Sequence, residues 1–575
     1  MNAYWRIAST LVLVALPALA QVTTSQYDNS RTGATLQEKI LTPQNVNTKQ
    51  FGKLGAFKVD GAVYAQPLYL PSVDVPGKGT HDVLFIATEH DGVYAFDANR
   101  PGDPPLWQVS FLDKARGVIP VSEDDAQCPF IRPEVGVTST PVIDLKTGTL
   151  YVLARTRIKH AVGANEYFQH LHALAITTGV EKFGGPKLIS AAVPGKGAGA
   201  ANGQVAFDQL KENPRAALTL ANGVLYLEWA SSCDVDPYHG WVMAYDPQTL
   251  AQRAVLNVTP DGGEAGIWLS DTGPAADADG NLYVPTGNGT FDAGSGGRDY
   301  GDSVLKLALD GSSSSLVIRD YFTPHDQDRI SEADSDVGSS GPLLLPDQTG
   351  AHRHLLLQPT KDSTIYVMDR DNLGKFRRDA DALVEMIRMP GGGYGALAYW
   401  NGHVFFAASD DHLRDYAVKN GELTLHASSS TKFANPGATP SVSADGNKNA
   451  IVWAIATKTW NGPDNKPAVL YAFDADRLDQ PIYTSEQNSQ RDRAALATRF
   501  VFPIVVNGRV YFAARGEIEV YGLLKLPAVV FLIPARLPVR SGSKSPPKRS
   551  LDGAPSRAGM AASMGHPPPA CGLRP

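Results

Sequence analysis

The chain has 575 residues, 43% hydrophobic and 19% charged, with 54 Gly, 41 Pro, 3 Cys and a formal net charge of -7. That balance excludes a disordered polymer, three cysteines exclude a disulfide scaffold, and no apolar run is long enough to span a bilayer. A soluble globular protein is expected, split into several domains by length unless an internal repeat is present.

Residues 1–20 read as a secretory signal peptide. Arg6 supplies the positive start, Ile7 to Leu16 the apolar run and Ala18-Leu19-Ala20 the small-x-small cleavage site. Cleavage would expose Gln21, and no Cys follows it to carry a lipid, so a periplasmic or secreted protein is expected. Residues 21–44 form an N-terminal lead, and 45–524 hold a repeat.

Each copy opens on an apolar strand, often marked by Pro, as at Pro67-Leu68, Pro141-Val142, Pro274-Ala275, Pro342-Leu343, Pro440-Ser441 and Pro503-Ile504. The openings at Leu218-Thr219-Leu220 and Gly395-Ala396-Leu397 lack it. A short turn follows, as in Asn222-Gly223-Val224-Leu225-Tyr226, Asn401-Gly402-His403-Val404-Phe405 and Asn507-Gly508-Arg509-Val510-Tyr511, where Asn-Gly before alternating apolar residues is a hairpin signal. A third strand then closes the copy, as in Val93-Tyr94-Ala95-Phe96-Asp97 and Leu470-Tyr471-Ala472-Phe473-Asp474. Eight copies run from Pro67 to Pro503 at a mean spacing of about 62 residues, enough for four short strands each. Such sheets bury their faces by stacking around an axis. The expected fold is therefore all-β, an eight-bladed β-propeller of four-stranded antiparallel blades. The last copy ends near Leu524 with three strands, and the lone strand Phe51 to Asp60 is expected to complete it.

From Lys525 the chain carries eight Lys/Arg against one acid, with repeated Pro and Ser. Residues 525–575 read as a disordered basic tail or a frame-shifted end of the gene, with a basic arm for anionic surfaces as the alternative. Without leader and tail, residues 21–524 carry a net charge of about -15, which argues against a nucleic-acid partner.

The blades Val83-Leu84-Phe85-Ile86-Ala87-Thr88-Glu89-His90-Asp91-Gly92-Val93-Tyr94-Ala95-Phe96-Asp97 and Val469-Leu470-Tyr471-Ala472-Phe473-Asp474-Ala475-Asp476 resemble the pyrroloquinoline-quinone (PQQ) repeat. The stretch 45–524 is similar to quinoprotein alcohol dehydrogenase-like propellers. The resemblance implies an eight-bladed, usually periplasmic fold whose enzymes hold PQQ with a calcium ion over the central channel. The chain departs from that pattern in three ways. No two cysteines are adjacent, the tryptophan-docking motif survives only as fragments such as Thr178-Gly179 with no Trp behind, and no c-type haem motif occurs. PQQ and calcium are thus cofactors by resemblance alone.

Commoner chemistries fail. Asp277-Ala278-Asp279-Gly280-Asn281 starts like a calcium loop but has Leu282 and Asn288 where an EF-hand needs Gly and Glu, so it is a hairpin turn. No His-Glu-x-x-His, Gly-x-Ser-x-Gly or Cys-x-x-Cys occurs. The remaining candidates lie where strands meet the channel mouth. Glu134, Asp334 and Asp336 precede blade openings and are the candidate calcium ligands. His90, Asp91, Asp234, His239 and Asp271 are candidate ligand-binding residues. Cys128 and Cys233 are the pair a disulfide would join in an oxidising compartment. Two functions follow. The first is a binding or scaffold module that holds a protein, glycan or small molecule at the channel mouth. The alternative is a quinoprotein-type oxidoreductase acting on an alcohol or sugar.

Overall fold

The computed structural model describes residues 20–160, 163–311, 314–457 and 466–524; the expected leader up to residue 19 and the tail from 525 lie outside them. The described chain is an eight-bladed propeller of antiparallel sheets.

Blade 1 is the plainest copy, with strands Leu68–Val75, Gly79–Ala87, Gly92–Asp97 and Trp107–Ser110 hydrogen-bonded in chain order. Its alternation of Val83, Phe85 and Ala87 with Leu84 and Ile86 buries both faces, as expected when each sheet is sandwiched between two others. The first strands of the other blades are Val142–Asp144, Thr219–Ala221, Ala275–Ala276, Leu343–Leu344, Ala398–Trp400, Ser441–Asp445 and Ile504–Val506. Five of them begin one residue after the Pro of an opening read from the sequence, and Thr219–Ala221 and Ala398–Trp400 begin within or directly after the two openings that lack it. A proline at that point costs no ladder bond, because the pairing starts after it.

Blade 8 is built from both ends of the repeat. Arg509–Leu523 pairs through Arg509–Tyr511 with Ile504–Val506, and through Arg515–Leu523 with Phe51–Ala62. Gly516, next to the junction of those two paired stretches, takes a φ of 71° that glycine adopts without strain. The early strand thus closes the ring as expected. Phe51 is fully buried, its ring 4.9 Å from that of Tyr483 and 5.6 Å from that of Trp453 in blade 7.

Turns between second and third strands, and the connections from one blade to the next, gather at one end of the channel. They carry the candidate site.

Candidate functional site at the channel mouth

A cavity opens at that end. Its wall includes Tyr64, Phe130, the disulfide Cys128–Cys233, Asn213, Arg215, Asp234, Trp268, Asp334, Asp336, Lys361, Tyr394, Arg499 and Phe500. These residues come from connections and hairpin turns of seven consecutive blade boundaries, so the ring fold alone assembles them.

The polar centre is a cation shared by two acids. Lys361 sits in the hairpin between Leu355–Thr360 and Thr364–Asp369, and its Nζ is 2.5 Å from Asp334 Oδ1 and 3.7 Å from Asp336 Oδ2. Burial pulls the ammonium down, but Asp336 and Asp334 outweigh it and hold Lys361 above the usual lysine range. Asp334 is the accessible acid, with 69% of its side chain exposed. Asn288 Nδ2 donates to Asp334 Oδ1, while its own buried Oδ1 has no hydrogen-bond partner among the described residues. Asp336 accepts from the Asn288 N–H and the Ser339 hydroxyl.

A second cationic corner lies beside it. Arg215 donates through Nε to Asp271 Oδ1 at 3.2 Å, and its guanidinium lies over the Phe500 ring at 5.6 Å. Arg499 stacks on Phe130 at 4.4 Å. Burial raises the Asp271 carboxyl to about 6, with Arg215 opposing. Both guanidinium groups therefore present a flat, aromatic-backed face to the cavity.

The structure brings only some of the predicted residues together. Asp334, Asp336 and Asp234 share the cavity, and Asp271 lies behind Arg215. Asp234 accepts from the Tyr238 hydroxyl at 2.8 Å, and burial raises its carboxyl. Glu134 does not join Asp334 and Asp336; its Oε2 is 2.6 Å from His90 Nδ1. Among the described residues no three His, Cys, Asp or Glu side chains are grouped to hold a metal ion. His239 is fixed in a packed loop, with Nδ1 against Thr259 and Nε2 against the Ala198 carbonyl, and burial lowers its pKa. Asp91 is fully buried beneath the mouth, where Gly136 allows the close approach: a Cβ there would lie 2.5 Å from the Glu89 carbonyl and 2.9 Å from the Asp91 carboxylate.

Lys361, Arg215, Arg499 and Trp268 went unnoticed in the sequence. Lys361 had one available signal. It occupies the same hairpin of blade 5 that Glu89-His90-Asp91 occupies in blade 1, so a charge in that turn faces the axis.

No protein-family model matches the chain, and no curated protein matches it. Among solved structures, the quinohemoprotein alcohol dehydrogenase ADHIIG from Pseudomonas putida HK5 superposes with a TM-score of 0.57 at 14% identity, covering 88% of this chain and 81% of that one. The quinohemoprotein alcohol dehydrogenase from Comamonas testosteroni gives 0.56 at 14% identity, with the same coverage. This chain shares their propeller fold.

Proposed function

We propose that the chain is a periplasmic or secreted quinoprotein-type oxidoreductase, which holds a flat, anionic quinone such as PQQ in the mouth cavity and oxidises an alcohol or sugar beside it. The observation that carries this reading is the company kept by the disulfide. Cys128 and Cys233 are far apart in sequence, yet their bridge lines the same cavity as Trp268, three cations and an accessible carboxylate. A sulfur wall, an indole face and several guanidinium and ammonium groups fit a planar polyanion.

Lys361, Arg215 and Arg499 would hold the anionic groups of the quinone, and Trp268 and Phe500 its faces. The bound quinone supplies the two-electron acceptor. Asp334 is the proton acceptor for the substrate hydroxyl, since it is accessible, belongs to the cavity and is held in place by Lys361 and Asn288. Asp336, nearly buried, fixes the Lys361 ammonium from the other side.

Calcium fits less well. Asp334, Asp336 and the unpartnered Asn288 Oδ1 are hard oxygens, but Lys361 already neutralises the acids, so no step is assigned to a metal. That same ion pair favours the second reading, a cofactor-free binding module whose mouth takes an organic anion directly.

Titration with PQQ, with and without Ca²⁺, followed by quenching of tryptophan fluorescence and by dye-linked alcohol oxidation, separates the two. Saturable quenching with turnover supports the oxidoreductase. Quenching by carboxylated aromatics without turnover supports the binding module, and no binding of either class removes both.

A further inference from the structure

The lead, residues 21–44, forms one two-residue strand, Ala34–Thr35, paired with Val442 and Ser443 of blade 7, yet it touches every blade. Val22 exchanges both backbone hydrogen bonds with Tyr69 of blade 1, at 2.8 and 2.9 Å. Ile143 of blade 2 donates its N–H to the Thr23 carbonyl. Asn29 donates its side-chain amide to the Leu220 carbonyl of blade 3 and accepts from the Ala276 N–H of blade 4. The N–H groups of Leu344, Tyr399 and Val442, in blades 5 to 7, donate to the carbonyls of Ser30, Thr32 and Gly33. Val505 of blade 8 donates to the Tyr27 hydroxyl at 2.6 Å.

These partners are equivalent. Each is the second residue of the first strand of its blade. The propeller thus presents a ring of backbone groups around its axis, and one short segment answers all eight positions. To do so it must curl within a dozen residues, and it does this with Gln26, Tyr27, Arg31 and Gly33 at φ between 55° and 72°. Three of those four are not glycine, a conformation that surrounding structure has to enforce. Arg31 is the central brace. It is fully buried, and its guanidinium donates to the Pro274 carbonyl, the Thr219 hydroxyl, the Ser25 carbonyl and the Thr24 hydroxyl, joining blades 3 and 4 to the segment.

The segment lies away from the cavity. Tyr64, Ser270 and Ser339 line the mouth, and no residue of 22–38 does; the ring positions Tyr69, Ala276 and Leu344 come five or six residues later in the chain, inside the first strands of their blades.

We infer that residues 22–38 are an axial clamp: a peptide ligand of the eight-fold ring of backbone groups, held in cis, which closes the propeller independently of the Phe51–Ala62 strand. Its contacts are long-range hydrogen bonds, main-chain and side-chain, that its covalent attachment does not make. The clamp therefore stays in place when the chain behind it is cut, and loosening it releases all blades together.

The test uses the full chain with a protease recognition sequence inserted after the exposed Lys49, cut after folding. The fragment ending at Lys49 is expected to remain with the body through size-exclusion chromatography and in native mass spectrometry. A fragment that separates from the otherwise unmodified cut protein overturns the inference. In the uncut chain, Arg31→Ala is the second variant, read by amide hydrogen exchange. Exchange at Ile143, Ala276, Leu344, Tyr399 and Val442, on five blades, is expected to quicken by a common factor of tenfold or more, with Arg31→Lys intermediate. Faster exchange at Ala276 alone would mean that Arg31 merely packs locally, and overturns the clamp.

Discussion

Lys361 Nζ stands 2.5 Å from Asp334 Oδ1, yet one residue sits in a hairpin of blade 5 and the other in the connection leading into that blade, and they differ sharply in exposure, 17% for the lysine side chain and 69% for the acid. That asymmetry separates their roles. Lys361→Met leaves the buried Asp336 without its cation and is expected to cost about 1–3 kcal/mol of stability, below the full penalty for breaking a buried pair because one partner is solvated. Asp334→Asn, at the exposed end, is expected to cost under about 1 kcal/mol while abolishing any alcohol oxidation. Urea unfolding and dye-linked turnover of both variants check the split; equal stability losses would contradict it.

The bridge between Cys128 and Cys233 spans 105 residues and ties the loop before blade 2 to a hairpin of blade 3. Cross-linking a loop of that length removes much unfolded-state freedom, so the double Cys→Ser variant is expected to lose about 2–5 kcal/mol. Its sulfur wall is also part of the cavity, so quinone affinity should fall as well. Calorimetry and fluorescence titration of oxidised and double-serine protein measure the two effects separately.

The blades were legible in the sequence because their grammar is local. A proline or small residue before an apolar pair, an Asn-Gly turn and an alternating second strand all lie within a few residues, and even the closing role of Phe51 to Asp60 could be read from a missing strand. The cavity was legible only in half. Acids before blade openings, such as Asp334 and Asp336, stood out, whereas Lys361 in a hairpin and Arg215 after Pro214 look like ordinary surface charges until the ring turns them inward. Glu134 misled for the same reason: its position before a blade opening is equivalent, but His90 is beside it. The lead was not legible at all. Its partners are main-chain groups on eight distant strands, and the left-handed turns at Gln26, Tyr27 and Arg31 carry no glycine to announce them.

Glu89 supplies a pH signature. Its carboxylate accepts from the Gly136 N–H and the Thr138 hydroxyl, but complete burial dominates and raises it from the ordinary 4.5 to about 8. The folded state then keeps a proton that the unfolded chain releases, so this group's stabilisation is complete below about pH 4.5 and fades as pH rises towards 8. Glu89→Gln keeps the acceptor and removes the titration. The variant should gain stability relative to the parent progressively from pH 5 to 8, read as the difference between two series of urea midpoints. A difference that stays flat with pH would refute the assignment.

The proposed export would leave a mark at the N-terminus. Cleavage after Ala20 would start the mature chain at Gln21, one residue before the first ring contact at Val22. Intact-mass analysis of protein taken from the native secretory route is expected to show that start, and retention of Met1 would argue against the periplasmic or secreted assignment.

The closing strand should bear more of the ring's stability than its length suggests. Phe51 is fully buried among Trp453, Tyr483 and Tyr521, rings from blades 7 and 8, at centroid distances of 5.6, 4.9 and 6.4 Å. Phe51→Ala empties that joint and is expected to cost about 3–5 kcal/mol. Leu54, three residues on, is 36% exposed, and Leu54→Ala should cost under about 1 kcal/mol. Because the strand joins residues more than 400 positions apart, the loss at Phe51 should also appear as faster exchange of the Gly522 and Val520 amides that face it, while blades 3 to 5 keep their protection. Equal effects of the two substitutions would show that Phe51–Ala62 decorates blade 8 rather than closing it.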